Sequence, residues 1–127
     1  ISGNWEMYQL PMSEVPDFTK LGNNNVFKNG SSQANRLKDC PVLYEGTFTL
    51  DETGDTFIDM EAWGKGIIFI NGHNIGRYWK VGPQQTLYIP GVWLKKGENK
   101  IVIFEQLNET PMTEVKTVKT PILMNLK

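Results

Sequence analysis

Between Val42 and Leu50 the chain alternates, with Val42, Tyr44, Gly46, Phe48 and Leu50 on one side and Glu45, Thr47 and Thr49 on the other. A period of two is what a strand needs to bury one face and wet the other, so this stretch predicts a β-strand. The opening Trp5-Glu6-Met7-Tyr8-Gln9-Leu10 alternates in the same way, and Pro11 then removes a backbone donor and ends the ladder. Asp51 to Asp55 is turn chemistry, and Thr56 to Trp63 predicts a further strand that leads through Gly64-Lys65-Gly66 into Ile67-Ile68-Phe69-Ile70. That last run is apolar on both faces, which predicts a central place in its sheet.

Asn71-Gly72 is a hairpin signal, because both central positions of a type I′ turn need positive φ and these residues tolerate it. Ile75 to Trp79 should run back antiparallel. Thr86 to Ile89 and Lys100 to Leu107 are β-prone, separated by a turn at Pro90-Gly91 and a polar hairpin tip at Lys95-Lys96-Gly97-Glu98-Asn99. Ser13 to Asp39 reads as a long loop, Pro111 to Lys119 as an exposed polar connection, and Ile122 to Leu126 as a last strand beside the N-terminal one. No stretch combines helical periodicity, a cap and adequate length, while strands recur about every ten residues. The expected fold is all-β, an antiparallel β-sandwich of jelly-roll type.

Composition narrows the function. A chain of 127 residues suits one domain with a real core. Thirteen basic against fourteen acidic side chains give a charge of -1, so nucleic acid and anionic membranes are not expected partners. No apolar run approaches the ~20 residues that cross a bilayer. The single cysteine, Cys40, has no internal disulfide partner, and one Cys with one His does not furnish a zinc set. No loop spaces acidic ligands for calcium, so neither metal nor cofactor is expected.

The segment Trp63-Gly64-Lys65-Gly66 through Asn71-Gly72-His73-Asn74-Ile75-Gly76-Arg77-Tyr78-Trp79, followed by Gly82-Pro83 and Thr86 to Pro90, closely resembles the C-terminal β-sandwich module of glycoside hydrolase family 35 β-galactosidases. The likeness extends from Val92-Trp93-Leu94 to Ile103-Phe104-Glu105, whereas residues 12–40 contribute little. It implies a galactose-binding-domain-like jelly roll, a name that describes architecture and does not guarantee sugar binding. It also implies that residues 1–127 are one C-terminal module of a larger enzyme whose two catalytic glutamates sit on a barrel outside this sequence. The expected role is then a non-catalytic accessory domain packed on that barrel, with an autonomous module for galactose-containing glycans as the alternative. Periplasmic or extracellular residence is implied by the resemblance alone.

Candidate site residues follow from chemistry. Glycoside hydrolysis needs two carboxyls across a sugar. Asp59 and Glu61 would lie on one strand face about 7 Å apart, but a solvated strand face explains them, and no catalytic residue is assigned. For sugar or a domain interface the candidates are Trp63, His73, Arg77, Tyr78 and Trp93, since aromatic faces stack on galactose and an Arg fork bonds hydroxyls. Alternation sends Tyr78 to one face and Arg77 with Trp79 to the other. Core packing is expected for Trp79, with Arg77 paired to a buried carboxylate or to carbonyls; Trp63 and Trp93 should pack in the core or at an interface, and His73 should be an exposed turn residue.

Overall fold

The structure is a computed structural model that describes residues 3, 6, 8, 12–15, 17, 41–107, 112 and 114–123. Its strands are β1 Val42–Leu50, β2 Thr56–Asp59, β3 Lys65–Ile70, β4 His73–Trp79, β5 Thr86–Ile89, β6 Gly97–Glu105 and β7 Lys116–Val118, with a 3-10 turn at Gly91–Trp93. They form two antiparallel sheets, β1-β6-β3-β4 and β5-β2-β7. The chain passes from one sheet to the other between β1 and β2, β2 and β3, β4 and β5, β5 and β6, and β6 and β7, which makes the all-β sandwich.

Strand β1 takes the phase its sequence dictates, and it pairs with β6 without a break from Val42↔Glu105 to Leu50↔Gly97. Its inward residues Tyr44, Phe48 and Leu50 pack against a core of Ile58, Met60, Trp63, Ile68, Ile70, Tyr78, Leu87, Ile89, Leu94 and Ile103. Strand β3 lies between β6 and β4, and its Ile68, Phe69 and Ile70 are all buried, as a strand apolar on both faces requires. Phe69 and its partner Val102 are buried on the face away from the main core. There the Asn74 side chain donates to the Met12 carbonyl at 2.7 Å, tying the N-terminal segment to β4.

The type I′ hairpin forms, with Asn71 at φ 48 and Gly72 at φ 85 and Ile70 facing His73 across the turn. Past the turn the register shifts between Ile68/Gly76 and Phe69/Asn74, so Ile75 is an extra residue on β4. This bulge restores the phase in which Gly76 and Tyr78 face inward with Ile68 and Gly66.

Several sequence expectations give way. Strand β2 stops at Asp59 because Met60 to Trp63 turns, with the Trp63 amide on the Met60 carbonyl at 3.0 Å. The expected exposed connection holds β7, a polar edge strand paired to β2, with Met112 and Val115 packed on the core. Strand β6 starts at Gly97, inside the expected hairpin tip. Leu123 bridges Gln84, ahead of β5, and the rest of the expected last strand, 124–126, lies outside the described residues. Of the expected first strand only Glu6 and Tyr8 are described, and neither is in a strand; Trp5 and Cys40 lie outside the described residues.

Gly66 is where the two-sided burial of β3 is most demanding. A Cβ there would run into the Phe104 carbonyl oxygen and the Tyr78 hydroxyl. Gly66→Ala is expected to destabilise the fold by about 3 kcal/mol or to prevent folding, because backbone cannot yield as a flexible side chain does. Urea denaturation checks this, and an unchanged midpoint would mean that β3 and β6 are not packed this closely.

Candidate functional site

Two polar clusters close the sandwich at opposite ends of β3. The first gathers around Glu105, the last residue of β6, which is only 2% exposed. Its carboxylate accepts from the Gly64 amide at 2.9 Å, the Lys65 amide at 3.0 Å, the Leu107 amide at 2.9 Å and the Tyr78 hydroxyl at 3.1 Å. A carboxylate removed from water needs such partners, since each unsatisfied acceptor costs about 1 to 3 kcal/mol. Trp63 packs edge-on against Tyr44 at 5.3 Å and Tyr78 at 6.3 Å, so the crossing from β2 to β3 is held by aromatic contact and by its own amides.

The second cluster is built on two asparagines. Asn99 is 1% exposed; its oxygen accepts from the Lys95 amide, and its nitrogen donates to the carbonyls of Lys95 and Gly97. Asn71 at the hairpin turn donates to the Trp93 carbonyl at 2.7 Å and to the Asn99 oxygen at 2.8 Å, and accepts from the Lys100 amide at 2.9 Å. The turn of one sheet is thus fastened to the loop leaving the other. On top of this fastening His73 stacks on Trp93, rings 4.8 Å apart and 9° from parallel.

The five candidate residues therefore do not converge. Trp63 and Tyr78 meet in the core, 4% and 3% exposed, so neither offers a ring face to a sugar at the surface. His73 and Trp93 meet at the far end of the hairpin, where His73 covers one face of the indole. Arg77 stands apart from both pairs, exposed on the outer face of β4. Trp79, on that same face, corrects the expectation of core packing: it is 44% exposed, with the Lys65 ammonium 4.6 Å over its ring. The register is the cause, since β3 turns Gly66 and Ile68 inward and so sends Tyr78 inward and Trp79, opposite Lys65, outward. Tyr78, not Arg77, meets the buried carboxylate.

Asp59 ends β2 and accepts the backbone amide of Glu61, an exposed turn residue, at 3.0 Å. Asp55 accepts from the Gly91 amide at 2.8 Å. That bond and one from the Tyr88 hydroxyl hold the Asp55 carboxyl below the usual range, and the same contact raises the Tyr88 phenol. Among the described residues no group of three or more His, Cys, Asp or Glu is placed to hold a metal ion, and no helix is long and apolar enough to cross a membrane.

Glu105 and Asn99 did not emerge as key residues from composition, because acidic and amide side chains read as solvated. Their phase marks them, however: Asn99, Ile101, Ile103 and Glu105 occupy alternate positions of β6 and therefore one face.

Residues 41–99 match the family described as Beta-galactosidase, galactose-binding domain. The chain is 38% identical over 122 residues to Beta-galactosidase 1 of Dictyostelium discoideum, covering 94% of this chain and 17% of that protein. It is 37% identical over 142 residues to Beta-galactosidase 8 of Oryza sativa subsp. japonica, covering 93% of this chain and 21% of that one. Residues 41–99 carry the galactose-binding domain of β-galactosidases. A human relative, Beta-galactosidase-1-like protein 2, is 47% identical over 72 residues, which is 56% of this chain and 11% of the relative. The chain thus spans about a fifth or less of the length of these relatives.

Within this domain the Tyr78 phenol is held protonated far above its usual range, first by burial and then by the Glu105 charge and hydrogen bond. In the unfolded chain it ionises near pH 10. Above that pH the folded state binds the extra proton, so stability present below pH 10 is lost as pH rises. Tyr78→Phe is expected to cost about 2 kcal/mol near neutral pH. It should also make the alkaline loss of stability shallower by about 1.4 kcal/mol per pH unit. Urea midpoints measured from neutral pH to above pH 10 check both, and parallel slopes for the two proteins would contradict the buried phenol.

Proposed function

We propose that this chain is a non-catalytic accessory domain of a β-galactosidase-like glycoside hydrolase, packed on its catalytic part and stabilising it. One observation carries the reading: the segment that resembles the family points its chemistry inward. Tyr78 and the amides of Gly64 and Lys65 bind Glu105, Trp63 packs on Tyr78, and Asn71 fastens the hairpin, so these residues hold the sandwich together rather than gather around a substrate. A cavity of about 700 Å³ between the sheets adds support. Its lining includes Phe48, Leu50, Ile101, Met112 and Val115, an apolar opening that a neighbouring domain would cover. Periplasmic or extracellular residence belongs to the same proposal.

A second reading, an autonomous module for galactose-containing glycans, is favoured by Trp79 and Arg77. An aromatic ring and a guanidinium share the outer face of β4, the pairing that suits a sugar's C–H face and its hydroxyls.

The test uses the longer polypeptide that contains this domain. Deleting the domain is expected to lower the temperature at which nitrophenyl-galactoside hydrolysis is lost by roughly 5 °C or more, while the 127-residue chain alone gives no turnover. An unchanged inactivation temperature would reject the stabilising role. Titration of the chain with galactose and lactose, read by tryptophan fluorescence, decides the second reading. Saturable binding that Trp79→Ala abolishes would establish it. No saturation up to tens of millimolar, about -2 to -3 kcal/mol, would remove it.

A further inference from the structure

Asn71 is followed by Gly72, the dipeptide in which an asparagine side chain is most open to attack by the next backbone nitrogen. In that reaction the deprotonated Gly72 nitrogen bonds to the Asn71 Cγ, the Cγ–Nδ2 bond breaks, and Nδ2 leaves as ammonia. Water then opens the five-membered imide at either carbonyl, giving aspartate or its isomer with the backbone routed through Cγ. Hydroxide drives the first step by removing the amide proton, so the rate rises with pH.

The structure opposes each requirement. Attack needs the carboxamide to turn toward the Gly72 nitrogen, but both ends of that carboxamide are held elsewhere. Nδ2 donates to the Trp93 carbonyl and to Asn99 Oδ1 at 2.7 and 2.8 Å, and Oδ1 accepts from the Lys100 amide at 2.9 Å. The backbone is fixed as well, since Asn71 sits at φ 48 in a two-residue turn and its amide donates to the Lys100 carbonyl at 2.9 Å. The product is also excluded from this geometry. A carboxylate in place of the amide sets oxygen against the Trp93 carbonyl and the Asn99 oxygen, two acceptors with no donor between them. The isomer lengthens the turn by one backbone atom and breaks the Ile70↔His73 register.

We infer that Asn71 is a fold-gated deamidation site: the hairpin fastening shields it while the domain is folded, and its conversion after unfolding records that event irreversibly, because the product no longer rebuilds the fastening. The gate depends on neither proposed function, so it stands or falls separately from them.

The test incubates the 127-residue chain at mildly alkaline pH in buffer and in concentrated urea, then digests it with trypsin. Trypsin releases residues 66–77, which contain Asn71-Gly72, and residues 29–36, which contain the Asn29-Gly30 dipeptide. Mass spectrometry follows the gain that accompanies amide-to-acid conversion. In urea the two peptides should convert at similar rates, which calibrates the chemistry. In buffer, conversion of the 66–77 peptide should be about a hundredfold slower than in urea, the suppression that three hydrogen bonds of ordinary net strength impose on local opening. Equal rates in buffer and urea would overturn the gate. Asn71→Asp tests the product: a thermal midpoint lower by roughly 3 °C or more, or loss of the cooperative transition, is expected. A midpoint equal to that of the native chain would overturn the claim of irreversibility.

Discussion

A carboxylate buried at the end of a central strand sets the terms for this domain. Glu105 is out of water, and its acceptors are filled by the backbone at Gly64, Lys65 and Leu107 and by the Tyr78 hydroxyl. Those donors come from the crossing between the sheets, from the segment after β6 and from β4. Removing any of them leaves a charged acceptor unsatisfied in the interior, a larger loss than that of an ordinary surface contact. Gly66 must lack a side chain for Tyr78 to reach this position, and Trp63 is pinned against the ring that results. The second polar cluster, on Asn71 and Asn99, does the same work at the other end of β3, so the apolar interior lies between two hydrogen-bonded ends.

This arrangement bears on function. The residues that give the chain its family likeness are largely inside, where they fix the shape. The aromatic and cationic groups left at the surface are divided between the His73–Trp93 stack and the outer face of β4, where Lys65 already covers part of Trp79. The evident chemistry of the described residues is therefore cohesion, and the apolar opening between the sheets is the surface on which the proposed docking rests.

Much of the framework was legible in the residues. The alternation from Val42 to Leu50 gave β1 with its phase, the apolar run from Ile67 to Ile70 marked an internal strand, and Asn71-Gly72 fixed the hairpin. What stayed hidden depended on partners distant in sequence. Trp79 reads as core by its size, and only pairing with Lys65 sends it outward. Lys116–Val118 reads as a polar connection, because an edge strand needs little apolar character once β2 supplies its ladder. The five candidate site residues separated into unconnected places, since spacing along one strand says which face a side chain takes but not what it meets there.

Hydrogen exchange measured residue by residue in the native chain reads how firmly Glu105 holds the crossing between the sheets. If Glu105 holds the crossing against the sheet, the amides of Gly64, Lys65 and Leu107, none of them in mid-strand, should resist exchange as strongly as the amides of β3 and β6. Exchange of these three at the pace of open loops, while the strands remain protected, would mean that Glu105 does not hold the crossing.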